Sequence, residues 1–420
     1  MPPGFHWIIV VQFLSALADN ALLIVTMAIL AANGLPVWWA PLLKLGFTLS
    51  YVVLAPVAGA LADAVPKGRL MGWMNAIKGL GCLLLLVDVH PVLAFALVGL
   101  GASAYAPAKY GLITELVPSH QLVKANGWIE VSVVCAALLG AGLGGYLVSS
   151  HWLDGGLSQS WQRLMMDWDL PALATQPLGL SVASLVFLYS VAGVLNVWVP
   201  ASHARYPASA IHPLVLCRDF WRANLCLWRD PEGGRLSLSV TTLFWGVGAT
   251  LQFIVLQWAQ DRLGLSLSQA AYLQAVVAIG VVAGAVIAGR YIPLHCARNM
   301  LFAGVVLGLM IVLMAQVGTW HLAVILLLLA GVFGGLMIVP LNALLQHRGY
   351  VLLSAGRSVA VQGFNENASV LVMVGLYAAL TGADWPVRHI MWALGGAIAV
   401  VIGYLWWCDV RAHRAPRAIV

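Results

Sequence analysis

Apolar runs of about 20 residues or more recur along the chain, parted by short polar breaks, and no other feature restricts the fold as strongly. Wound as an α-helix, such a run crosses a hydrocarbon core of ~30 Å while satisfying every backbone N–H and C=O within itself. The runs lack the strict alternation of a lipid-facing barrel strand. With 62% hydrophobic and 9% charged residues over 420 positions, no soluble domain of any size fits. The chain therefore reads as an all-α membrane protein. Spans are predicted at 6–32, 40–62, 70–88, 92–116, 124–149 and 179–199, then at 238–261, 269–290, 299–317, 321–345, 352–381 and 389–408. The first opens at Phe5 with no basic leader before it, so it reads as a span and not a cleavable signal.

About twelve spans around one long polar loop divide into two six-helix halves. Residues 1–199 form an N-terminal bundle, 200–237 a central loop, and 238–420 a C-terminal bundle with a short tail. Basic residues collect after even-numbered spans and in the tail, among them Lys67, Arg69, Lys124, Arg205, Arg218, Arg222, Arg229, Arg298, Arg348, Arg357 and Arg417. The positive-inside rule then puts both termini and the central loop in the cytoplasm. The net charge of +6 belongs to these loops and implies no nucleic acid. The six cysteines imply no disulfide framework.

Within the central loop, Leu214, Cys217, Trp221, Leu225 and Trp228 recur at helical spacing beside Arg218, Arg222 and Arg229, after a start at Pro213. That pattern predicts a helix lying in the plane of an anionic membrane surface. In the loop 150–178, Trp161, Leu164, Met165 and Trp168 form a second stripe, with Ser160 as its cap: a lid or an interfacial anchor.

Polar residues inside the spans carry the functional reading. In Arg357–Leu371, Ser358, Gln362, Glu366 and Ser369 share one helical face, with Asn365 and Asn367 beside them. Glu366 would lie about 15 Å deep, near mid-bilayer, where a carboxylate usually faces a bundle interior or a wet path. Interhelical polar contact is the plainer alternative. In the first span Gln12, Ser15, Asp19 and Thr26 share a face with Asn20 alongside, and Lys109 is the expected partner of Asp19. Lys78 either snorkels to the interface or faces the cavity. Groups from both halves are expected to converge on one crevice.

Offsets repeat between the halves. Asn126, Gly127 and Glu130 in the fifth span match Gln362, Gly363 and Glu366 in the eleventh; Pro107, Lys109 and Glu115 in the fourth match Pro340, Asn342 and Arg348 in the tenth. Asn126, Glu130, Glu115 and Arg348 are expected to be polar support. Gly140, Gly144 and Gly145, and Gly331, Gly334 and Gly335, mark close helix contacts.

Between the second and third spans run Gly59-Ala60-Leu61-Ala62-Asp63 and then Lys67-Gly68-Arg69. Asp63 is placed to accept from basic or helix-end groups, a latch shared with Gly59, Gly68 and Arg69. This resembles the loop motif of the major facilitator superfamily, with a stretched gap before Gly68-Arg69. The runs Gln12–Ala16, Asp19–Leu23, Pro107–Gly111, Leu122–Gly127, Val339–Gln346 and Gln362–Ser369 are similar to the bacterial lysophospholipid transporters of that superfamily, a resemblance spanning nearly the whole chain. It implies the major facilitator fold and movement of lysophospholipid from the outer to the inner leaflet of the bacterial inner membrane. A cytoplasmic-side acyltransferase and acyl-carrier-protein synthetase would reacylate the product. Lys109 would meet the phosphate, while Asp19, Glu366, Asn20, Asn342, Asn365 and Asn367 bind glycerol or amine groups. Gln252 stands where the family pattern has an arginine, and the loop 150–178 is longer than usual. A monomer embedded in membrane lipids, without cofactor or metal, is expected. A proton-coupled exporter of drugs or small solutes would use the same buried carboxylates. A membrane-embedded lipid enzyme is disfavoured, since no histidine or cysteine cluster has ligand or nucleophile spacing.

Overall fold

The computed structural model describes all residues except 36–38, 167–171, 205, 207–211 and 415–420. Trp168, Arg205 and Arg417 lie outside the described residues. The described secondary structure is helical throughout: α1 (Phe5–Ala32), α2 (Trp39–Val53), α3 (Ala55–Ala64), α4 (Lys67–Leu86), α5 (Pro91–Leu116), α6 (Leu122–Leu147), the short α7 (Ser150–Leu153), α8 (Gly156–Met166) and α9 (Ala172–Thr175), α10 (Pro177–Leu195), α11 (Pro213–Arg229), α12 (Gly234–Leu263), α13 (Leu267–Tyr291), α14 (Leu301–Met314), α15 (Trp320–Leu352), α16 (Ala355–Gly382) and α17 (Val387–Arg414).

Local chemistry sets the ends. Pro91 and Pro177 start α5 and α10, where a missing N–H costs nothing. Ser266 and Gln269 form a reciprocal capping box on α13, and Gly264 ends α12 at φ 64°, a conformation suited to glycine. Nine described helices are long and apolar enough to cross a membrane. The second span is bent: α2 and α3 meet at 62°, with Pro56 just past the break. Counting that pair as one span, α4 and α16 complete the expected dozen; their lysines, amides and Glu366 lower their mean hydropathy.

The described residues form two compact units. The first comprises Met1–Val117, Ser132–Asn224 and Leu353–Phe364. Its core gathers Leu22, Val25, Leu43, Phe95, Val98, Val182 and Leu185. The second comprises Pro118–Val131, Leu225–Leu352 and Asn365–Val420, cored by Val255, Trp258, Leu307, Ile311, Met337 and Met391.

Glycines let backbones touch, which matters where lipid tails give helices no hydrophobic reason to associate. A Cβ on Gly140 would lie 2.6 Å from the Leu17 carbonyl oxygen, and one on Gly144 2.8 Å from that of Ala21, so α6 crosses α1 with no room between. Gly331 and Gly335 of α15 abut Gly280 and Gly284 of α13 in the same manner, while Gly334 faces the Phe244 ring. Gly145 departs from expectation: nothing lies within 4 Å of its added Cβ. It occupies the other side of α6 from Gly144, one residue and about 100° round the helix.

α11 has two faces. Phe220, Ala223 and Leu227 are buried, with Phe220 edge-on to Phe364 at 5.2 Å, whereas Leu214, Trp221 and Leu225 are exposed. In α8, Leu164 is exposed and Trp161 donates to the Ala174 carbonyl at 2.9 Å. Ser160 is not its cap; it sits inside the helix and donates to Gly156 O, four residues back, because the helix begins a turn earlier than its apolar stripe.

Candidate functional site

The polar face of α1 is the spine of a buried network in the first unit. Gln12, Ser15 and Asp19 are spaced three and four apart and so point the same way. α4 brings Asn75 and Lys78, three apart, to meet them. Lys78 Nζ lies 2.7 Å from Asp19 Oδ2 and donates to Ser15 Oγ at 3.0 Å; Ser15 donates to Asn75 Oδ1 at 2.7 Å. From α10, the Tyr189 hydroxyl donates to Asp19 Oδ1 at 2.6 Å. The Lys78 ammonium also sits 4.9 Å from the Tyr105 ring centre, a cation–π contact in an apolar setting.

This corrects the expected Asp19–Lys109 pair. Lys109 instead donates to Gln12 Oε1 at 2.9 Å and lies 4.1 Å from the Tyr110 ring centre. The reason is depth. Gln12 and Asp19 are seven residues apart, about 10 Å along α1. Lys109 is near the end of α5, level with the start of α1, whereas Lys78 is midway along α4. Lys78 does not snorkel; it is 1% exposed and held by Asp19. Asn20 turns aside, its amide donating to Ala16 O at 2.8 Å on the flank crossed by Gly140.

Donors exceed acceptors along this stripe. Gln12 Nε2 and Asn75 Nδ2 are buried and find no acceptor among the described residues. A buried amide N–H2 left unmatched costs about 1–3 kcal/mol, so such a surface is built for water or for an oxygen-rich guest.

Other expected positions distribute between the units. Gln362 is buried in the first. In the second, Asn342 and Glu130 are buried, while Asn365, Glu366 and Asn367 are half-buried, with Asn365 Oδ1 accepting from Trp228 Nε1 at 3.2 Å. Gln252 is exposed, its backbone carbonyl accepting from Gln274 at 2.9 Å. Asn126 forms a reciprocal amide pair with Gln346, at 2.9 and 3.0 Å.

The loop segments form ionic anchors. Asp63 Oδ1 accepts from the Gly356 backbone N–H at 2.9 Å, its other oxygen accepts from Ser354, and Arg357 Nε is 4.0 Å away, so the carboxylate caps the start of α16. Gly59 lies against the same turn, where a Cβ would come within 2.8 Å of Ala360 Cβ. Gly68 keeps ordinary distance from Val199, and Arg69 is exposed. Lys67 is unexpectedly buried, 2.6 Å from Glu115 Oε1, which also accepts from Tyr206 at 2.6 Å; Ser202 donates to the other oxygen. Burial and that bond to Glu115 push the Tyr206 hydroxyl well above the usual phenol range. In the second unit Arg348 grips Asp230 through two bonds of 2.8 and 3.0 Å and reaches Glu232 at 2.7 Å. Burial alone would raise the Asp230 carboxyl, but Arg348 and the N–H groups of Gly234 and Glu232 outweigh it and hold it below its usual value.

The model of the Major Facilitator Superfamily matches residues 8–352. Lysophospholipid transporter LplT of Yersinia enterocolitica is 38% identical over 385 residues, covering 91% of this chain and 89% of that protein. The chain belongs to the LplT-type lysophospholipid transporter family of the major facilitator superfamily. LplT of Shigella boydii is 38% identical over 404 residues, 96% of this chain and 95% of that one. LplT of Escherichia coli is 37% identical over the same shares. Among solved structures, the superfamily transporter FucP in its outward conformation aligns at TM-score 0.71 with 16% identity, over 96% of this chain and 98% of that one. A bacterial homologue of the iron transporter ferroportin aligns at 0.69 with 17% identity, over 98% and 100%. These two speak to fold alone. The LplT-type chain is thus a multi-pass all-α membrane protein of the major facilitator fold.

Sequence reasoning missed Lys78 as Asp19's partner, together with Asn75, Tyr189 and Lys67. The spacing of three between Asn75 and Lys78 was a usable signal, since it sets both on one face of the third span. Nothing in the spacing of Lys67 distinguishes it from a solvated loop lysine.

Proposed function

We propose that this protein carries lysophospholipids from the outer to the inner leaflet of the bacterial inner membrane by alternating access, with lateral entry from the bilayer. The observation that carries the reading is the donor-rich stripe of the first unit: Lys78, Lys109 and two amide N–H2 groups that find no acceptor among the described residues, beside the Asp19 carboxylate and embedded in apolar helices. A phosphate diester with a glycerol hydroxyl needs such donors, while its one acyl chain tolerates the apolar surroundings. The LplT names of relatives at 37–38% identity support the same substrate class. In this reading Lys109 meets the phosphate, Asp19 and Glu366 take ammonium or hydroxyl groups, and Asn20, Asn342, Gln252, Gln362, Asn365 and Asn367 line the route. Halves 1–199 and 238–420 rock about a cytoplasmic 200–237 segment, both termini are cytoplasmic, and Asp63 with Gly59, Gly68 and Arg69 latches one state. The product passes to a cytoplasmic-side acyltransferase.

The test is a leaflet-resolved assay with labelled lysophosphatidylethanolamine in vesicles of known protein orientation. Transfer above protein-free vesicles, without a pH gradient, is the expected result. Transfer that appears only under a pH gradient would favour a proton-coupled exporter, and none at all would sink both.

A further inference from the structure

Apart from that stripe, the first unit holds a cavity of about 850 Å³ where the turn between α3 and α4, the end of α10, residues 201–204 and Tyr206 meet. Part of its wall is the first turn of α4. Pro66 precedes that turn and supplies no side-chain cap, and the N–H groups of Lys67, Gly68 and Arg69 reach no acceptor among the described residues. Arg69 is exposed within the cavity and forms no ion pair there among the described residues, whereas the other charges on the wall are engaged: Lys67 by Glu115, Asp63 by the start of α16. A second feature is independent of the helix end. Asn196 also lines the cavity, is 7% exposed, and spends its Nδ2 on Ala192 O, leaving a buried Oδ1 with no donor among the described residues. Trp73 and Val197, on the same wall, are 55% and 80% exposed, an apolar surface continuous with the site.

An open helix N-terminus with a free guanidinium suits a phosphate. An unmatched buried carbonyl oxygen needs a hydroxyl or ammonium hydrogen. Exposed tryptophan beside both suits acyl chain and interface. We propose that this cavity binds the head of a membrane phosphoglyceride, with its phosphate diester at the first turn of α4 and Arg69, its head hydroxyl or ammonium on Asn196, and its chains along Trp73 and Val197. The site is separate from the Asp19–Lys78 stripe.

Native mass spectrometry of the delipidated full-length protein, titrated with phosphatidylglycerol, phosphatidylethanolamine or phosphatidylcholine, tests it. One lipid should bind, and more weakly for phosphatidylcholine, whose head offers no donor hydrogen. Arg69→Ala should weaken all three by about tenfold or more, the scale of a lost charged hydrogen bond. Asn196→Ala should weaken the first two and spare phosphatidylcholine. Arg163→Ala, an exposed arginine elsewhere, should change nothing. Arg69 is exposed, so its loss leaves folding intact. Equal binding by wild type and Arg69→Ala overturns the site. Displacement of lipid by equimolar inorganic phosphate or glycerol 3-phosphate overturns the lipid assignment in favour of a free anion. Because binding is read directly, a protein that fails to transport yet passes these tests refutes only the transport reading.

Discussion

Replacing Lys78 by methionine isolates the ion pair at the centre of the first unit. Methionine keeps most of the side-chain volume and removes the charge, leaving Asp19 with the Tyr189 hydroxyl at 2.6 Å. Stranding one member of a buried pair costs roughly 3–5 kcal/mol. The Lys78 side chain is 2% exposed and that of Asp19 18%, so some water reaches the carboxylate, and with the retained hydrogen bond the cost should fall at the lower end, about 3 kcal/mol. Removing both charges, as in Asp19→Asn with Lys78→Met, should return stability to within about 1 kcal/mol of wild type, because no unpaired ion remains. Equilibrium unfolding in mixed micelles reads the cycle. Lys109→Met is the control: Lys109 donates to the neutral Gln12 while Asp19 is held by Lys78, so Asp19→Asn should not rescue it. If Asp19→Asn rescues Lys109→Met and leaves Lys78→Met unimproved, the pairing and the depth argument behind it are wrong.

Glu366→Gln should lower lysolipid transfer severalfold at unchanged folded yield; full activity would remove Glu366 from the route. Gly144→Leu drives a side chain into the Ala21 carbonyl and Ile24, 2.8 and 2.9 Å from the new Cβ, and should cut the monodisperse fraction in size-exclusion chromatography, while Gly145→Leu, with open space around it, should not. Asp230 is held below its unfolded value of about 3.9, so its contribution to stability is complete above that value and is lost as pH falls through the lower folded value. Thermal midpoints of wild type and Asp230→Asn should therefore differ at pH 6 and draw together as pH falls below about 4 and on through the lower folded value; a difference that does not shrink on acidification would mean that ionisation of Asp230 is not what the Arg348 contact rewards.

The spans were legible because lipid imposes one rule on every segment, and a run of sufficient length obeys it whatever its neighbours do. The polar face of α1 was legible for the same kind of reason, since Gln12, Ser15 and Asp19 differ from their surroundings at a fixed period. Partner choice was not. Asp19 had two lysines within plausible reach, and deciding between Lys78 and Lys109 requires the depth of each helix against its neighbours, which composition does not encode. The bend between α2 and α3 was hidden because an apolar run reads the same straight or broken. Lys67 was hidden because its burial depends on Tyr206 and Ser202, more than 130 positions away in the chain, closing over Glu115.

The internal repeat is informative in its mismatch. Pro107 and Pro340 each sit inside an unbroken helix, and each is followed eight residues later by an ionised residue, Glu115 or Arg348. Eight residues is about 12 Å, which carries the chain from a buried proline to the end of the span. There a charge can hold a connecting segment: Glu115 takes Lys67 at the start of α4, and Arg348 takes Asp230 ahead of α12. The sign is opposite in the two units, and each partner is opposite in turn. Geometry therefore fixes where an anchor stands, while the sign is free so long as both members change together. A comparison that scored identity would discard this pair, whereas asking which offsets carry any charge recovers it. The same logic predicts that the charge-swapped double variant, Glu115→Lys combined with Lys67→Glu, is tolerated far better than either change alone when folded yield is measured. A double variant as unstable as the worse single one would show that the position tolerates only one polarity.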